Sequence, residues 1–144
     1  MMAETEGVIK FNLTFRTEKL GGVDIGELSA WRKALKDLGL LGQTPGRYDG
    51  YGFGNVSQRC AGGFVISGTQ TGALDAVTLD DYAVCETWDL QRNAVDAKGA
   101  VKPSSESLSH ASIYVDLDSV RVHIWTEWKP RGKIGFSKSI RGGR

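Results

Sequence analysis

The chain has 144 residues, a length suited to one domain, with an ordinary globular mix of 40% hydrophobic and 24% charged residues. Three prolines and no low-complexity tract argue against wholesale disorder, and two cysteines cannot build a disulfide framework or a four-thiolate metal site. No apolar run approaches the roughly 20 residues of a membrane span, and the acidic start is unlike a secretory signal, so the expectation is a cytoplasmic protein with no membrane partner.

The net charge of +1 hides an asymmetry. Residues 129–144 carry six basic residues and no acid, which leaves 12 basic and 17 acidic residues in 1–128. A basic end of this kind supports weak, salt-sensitive association with phosphate backbones. It holds one stacking side chain, Phe136, and no recognition motif. Residues 129–144 therefore read as a disordered, solvated tail, and nucleic acid is not an expected partner.

Along the chain, Val8, Phe11, Leu13 and Phe15 partly alternate, as in a short strand. After Gly21-Gly22, Asp24 is placed to cap a helix whose apolar stripe is Ile25, Leu28, Trp31, Leu35 and Leu38, with Gly39 as its stop. Residues 42–54, rich in glycine, read as a loop. Phe64-Val65-Ile66 is a short buried strand closed by the polar turn 67–72. In residues 79–90, alternation puts Val84, Glu86, Trp88 and Leu90 on one side of a strand and Cys85, Thr87 and Asp89 on the other. A hairpin partner follows at Ala94–Ala97. Pro103, Ser104, Ser105 and Glu106 open a second helix with Leu108, Ile113 and Tyr114 on its buried face. Residues 120–125 alternate as a strand, and after Pro130 the pattern is lost.

Three polar clusters stand at strand ends or helix starts: Gly54-Asn55-Val56-Ser57-Gln58-Arg59, Ser67-Gly68-Thr69-Gln70-Thr71-Gly72, and Pro103-Ser104-Ser105-Glu106. Their hydroxyls and backbone N–H groups suit an anion, and a helix start adds positive potential. Each cluster alone is also ordinary turn chemistry. The two histidines, His110 and His123, with Glu106 or Glu127, could supply three metal ligands by composition. Equally, His110 stands one helical turn beyond Glu106 and could simply bond to it.

In this order and spacing the three clusters, the last continuing to Ile113-Tyr114, resemble the class II aldolase/adducin family from about Gly7 to Arg121. The resemblance implies an α/β fold, with α/β/α layers around a mainly antiparallel sheet. It implies a homo-oligomer and metal-dependent lyase chemistry, with zinc or another divalent ion, on small hydroxy-carbonyl or sugar-phosphate substrates. In such chemistry the metal polarises the carbonyl and an acid moves the proton. By position Glu106 resembles that acid/base. Asn55, Ser57, Thr71, Gly72, Ser104 and Ser105 resemble the substrate- and phosphate-binding loop residues.

Family members carry His-x-His on the strand after the second helix and a third histidine later. Here that strand reads Val120-Arg121-Val122-His123-Ile124-Trp125, so His123 is the single expected ligand. The expectation is a family domain at 1–128, truncated, with a divergent or frame-shifted end. Its function is either a lyase with an incomplete metal site or a non-catalytic, adducin-like binding or scaffold domain.

Overall fold

The structure, a computed structural model, describes residues 8–127 and 135–141. Seven strands form one sheet in the order β1-β5-β4-β3-β2-β6-β7. They are β1 (Asn12–Thr17), β2 (Asn55–Cys60), β3 (Gly63–Ser67), β4 (Tyr82–Asp89), β5 (Ala94–Gly99), β6 (Val120–Glu127) and β7 (Gly135–Arg141). The β1–β5 pair is parallel and every other pair is antiparallel. Helices α1 (Gly26–Asp37) and α2 (Ser107–Asp116) complete an α/β fold.

Strand alternation decides the layering. Val56, Val65, Val84, Val122 and Ile124 point to one face of the sheet and pack with Leu28 and Leu35 of α1. Phe64, Ile66, Cys85, Val95 and Ala97 point to the other and pack with Ala111 and Tyr114 of α2. The central strands are thus apolar on both faces, and each fully buried Val, Ile or Phe contributes about 1.5–3 kcal/mol.

Several elements depart from their sequence reading. In α1 the buried positions are Leu28, Arg32 and Leu35, whereas Trp31 is 38% and Leu38 72% exposed. The inner stripe runs i, i+4, i+7, so a charged residue occupies a site that the apolar pattern gave to Trp31. Asp24 does not cap the helix. Its Oδ1 accepts from Gly26 N at 2.9 Å, an Asx turn one step before Ile25, which is the N-cap. The second helix starts later than expected, at Ser107, and Ser104 Oγ accepts instead from the Glu106 N–H. Its buried face is Ser107, His110, Ala111 and Tyr114, with Leu108 and Ile113 only partly buried.

In β4 the ladder slips between Cys85 and Thr87. The bulge breaks strict alternation, so Cys85 and Trp88 share the α2 face. Trp88 then packs on Phe64 with ring centroids 5.1 Å apart. The expected solvated tail is corrected in its central part: Gly135–Arg141 is a strand, paired antiparallel to β6 from Val120↔Arg141 to Glu127↔Gly135. A strand here follows from an unfilled edge on β6, which outweighs the weak local pattern. No described helix is long and apolar enough to cross a membrane.

Candidate functional site

Antiparallel pairing puts Asn55, the first residue of β2, and Ser67, the last of β3, at the same end of the sheet. Ser67 joins the strands there: its Oγ accepts from Val56 N at 3.1 Å and donates to Val56 O at 3.2 Å. Two backbone bonds dock the loop before α2 on the same spot, Thr69 N to Lys102 O at 2.8 Å and Ser104 N to Ser67 O at 2.9 Å. The three polar clusters therefore meet. They line one open cleft of about 640 Å³, its mouth included, together with Arg32 and Leu41 at the α1 end and the 52–54 segment.

Tight backbone packing shapes the walls. A side chain at Gly72 would place its Cβ 2.4 Å from Gly42 O, and one at Gly54, whose φ is +76°, would lie 2.5 Å from Leu40 O. Both positions need glycine because two loops pass at backbone contact distance. Gly72 is thus fixed by packing as well as by its place in the cleft.

Arg32 is the charged feature that the apolar pattern concealed. It is 2% exposed, and its Nη2 donates to Thr71 O at 2.8 Å and Leu74 O at 2.9 Å. Lys36, one turn on, donates to Gly72 O at 2.9 Å. No carboxylate lies in ion-pair range of Arg32 among the described residues. A buried guanidinium held by carbonyls puts positive charge beside the cleft, where it can meet an anion, while Glu106 brings one negative charge to the same lining. The start of α2 adds to this charge, since Ser104, Ser105 and Glu106 line the cleft immediately before Ser107. The backbone N–H groups of Gln70, Gly72 and Ser105 make no hydrogen bond among the described residues and remain as donors on cleft-lining positions.

Of the residues singled out in the sequence, Asn55, Thr71, Gly72, Ser104, Ser105 and Glu106 line the cleft. Thr71 Oγ1 donates to Gly68 O at 2.8 Å, and Glu106 Oε2 accepts from Ser109 Oγ at 3.2 Å. Ser57 and His123 lie behind it, both 0% exposed, in a buried polar network with His110 and Tyr114. Ser57 Oγ is 2.6 Å from His110 Nδ1 and 2.7 Å from Tyr114 Oη, and His123 Nδ1 is 3.0 Å from His110 Nδ1. His110 Nε2 bonds to Asn55 Oδ1. The His110 side chain does not turn back to Glu106; its link to that residue is the backbone bond N to O at 3.1 Å.

Burial governs the electrostatics of this network. It lowers the His123 pKa to about 4. Burial, with neighbouring His123 adding to it, also holds His110 well below the ordinary imidazole value. Burial raises Tyr114, with the Ser57 hydrogen bond opposing it. Both imidazoles are therefore neutral at pH 7.

The described side chains, among which that of Glu127 is not included, do not make a metal centre. Among the described residues no group of three or more His, Cys, Asp and Glu is placed to hold an ion. Glu106 reaches the cleft, whereas His123 turns its Nδ1 to His110. One carboxylate falls short of the three protein ligands typical of catalytic zinc. No protein-family model matches the chain, and comparison with curated proteins gives no match.

Proposed function

We propose that the chain is a class II aldolase/adducin-like domain whose cleft binds a small hydroxy-carbonyl compound through a phosphate group. The observation that carries this reading is the convergence of three polar loops, spare backbone N–H groups and the buried Arg32 charge on one cleft. Serine and threonine hydroxyls and N–H donors match phosphate oxygens, and the charge of Arg32 offsets the anion's. Glu106, at the start of α2, is the one cleft carboxylate among the described residues and is the group for proton exchange with a bound hydroxyl or carbonyl carbon.

Aldehyde-lyase turnover of the aldolase type needs a divalent ion on the carbonyl and hydroxyl oxygens. The described residues do not supply the three ligands such an ion needs. That donor set favours the second reading within the same family, a binding or scaffold domain without turnover. Zinc content per folded chain, measured without a histidine tag, separates the two. Zinc-free protein that binds a sugar phosphate supports the binding domain. One zinc per chain, with cleavage of the sugar phosphate that is lost in Glu106→Gln, supports the lyase. Failure to bind any sugar phosphate overturns both.

A further inference from the structure

Four buried polar side chains connect the interior of the α2 face to the cleft. Tyr114 and Ser57 are bonded to each other, Ser57 to His110, and His110 to Asn55. Hydroxyl accounting sets the direction of this chain. The Tyr114 hydroxyl, on a residue 2% exposed, finds its acceptor in Ser57 Oγ. If it did not donate there, a buried O–H would be left unsatisfied, at a cost of about 1–3 kcal/mol. Ser57 must then send its own proton to its other partner, His110 Nδ1. That nitrogen has a single lone pair, which the shorter Ser57 bond takes, so His123 Nδ1 at 3.0 Å is a neighbour there and not a second full donor. With Nδ1 accepting, a neutral His110 carries its proton on Nε2, which bonds to Asn55 Oδ1. The Asn55 oxygen is thereby committed to the interior. Its Nδ2 makes no hydrogen bond among the described residues and is not among their buried unsatisfied atoms, while Asn55 itself lines the cleft.

We propose that His110 is a positioning residue for the cleft: through its Nε2–H it fixes the Asn55 amide with the NH₂ presented to a bound phosphate oxygen. Without this bond the Asn55 amide is free to turn, and the flipped amide would present its oxygen to the anion, replacing attraction with repulsion. The proposal rests on the reading of the cleft as a phosphate site. It goes further by assigning a function to a histidine that stands behind the cleft wall and does not itself line it.

The test uses the full chain, with inorganic phosphate as the probe. Nitrogen-15 shifts of the imidazoles report the His110 tautomer, and the Asn55 side-chain NH₂ signals report contact with phosphate. His110→Gln can replace the Nε2–H donor with its own amide N–H, whereas His110→Leu cannot. The expected result is the Nε2–H tautomer, Asn55 NH₂ signals that move with phosphate, affinity lowered about tenfold or more in His110→Leu, and affinity near the original in His110→Gln. A proton on Nδ1, unmoved Asn55 NH₂ signals, unchanged affinity in a folded His110→Leu, or equal loss in both variants overturns the proposal. If His110→Leu does not fold, the tautomer and the Asn55 signals of the unaltered chain decide. If the unaltered chain ignores phosphate but shows the Nε2–H tautomer, the phosphate reading is what has failed, and the proposal falls with it.

Discussion

Arg32 donates to the Thr71 carbonyl across 2.8 Å, so the first helix directly holds the loop that forms one wall of the cleft. The same nitrogen reaches Leu74 O at 2.9 Å, and Lys36 adds Gly72 O at 2.9 Å. The cleft is therefore held open by cations that bridge helix and loop. Replacing Arg32 with Met keeps most of the volume but removes both charged bonds and strands two carbonyls. The expected cost is about 2–4 kcal/mol in urea unfolding, with a loss of anion binding. Arg32→Lys is expected to recover the charge but only part of the stability, because an ammonium cannot reproduce the guanidinium geometry. Unaltered stability in Arg32→Met would show that the clamp contributes nothing.

Arg59 does comparable work at the far end of α2. Its Nη2 bonds to Tyr114 O and, at 3.1 Å, to Leu117 O, its Nε bonds to Val120 O at 2.6 Å, and the guanidinium lies 4.7 Å from the centre of the Tyr114 ring. It satisfies carbonyls that a helix end leaves orphaned and places a cation at the negative end of the dipole. Arg59→Ala is expected to lower stability by about 2–4 kcal/mol, read from the shift in urea midpoint at constant slope. A shift below about 0.5 kcal/mol would place Arg59 among ordinary surface residues.

Much of this could be read along the chain. Phe64-Val65-Ile66 reads as a buried strand because both faces are covered, and the polar clusters read as loops because their residues favour turns. Trp31 misled because helix spacing does not say which of two neighbouring stripes faces inward; Arg32 turns in because two carbonyls of the 71–74 loop await it. Alternation failed at Trp88 because a bulge is a long-range feature, set by how Cys85 pairs across to Ala97 and Phe64. Ser57 and Asn55 are two residues apart on one strand, yet one bonds in the interior and the other lines the cleft. That division depends on the α2 side chains packed beneath them, which no local pattern announces.

The two buried imidazoles make stability depend on acid. Both are held below the ordinary histidine pKa of about 6.5 in the folded chain, His123 at about 4. A folded pKa below the unfolded one means that the unfolded chain binds more protons. Stability is then complete above about pH 6.5 and falls as the pH drops toward 4. For His123 alone the loss approaches roughly 3 kcal/mol. Urea midpoints between pH 7.5 and 4.5 are expected to fall, with a shallower slope in a folded His123→Gln. Flat midpoints over that range would mean that the imidazoles are not buried as described.

Gly72 offers a steric test. Gly72→Ala drives a methyl against Gly42 O, whereas Gly21→Ala meets no atom within 4 Å. The first is expected to destabilise by about 2 kcal/mol or more and to disturb the cleft amides, the second to lie within about 0.5 kcal/mol of the original. Equal melting curves would contradict the packing of the 42–54 loop against residue 72.

The most direct measurement is a titration with inorganic phosphate followed by backbone amide shifts. Saturable changes confined to Gln70, Gly72, Ser105 and their cleft neighbours, and lost in Arg32→Met, are the expected result. Shifts absent, or spread over surface lysines and arginines without saturation, would show that the three loops meet for structural reasons alone and that the cleft is not an anion site.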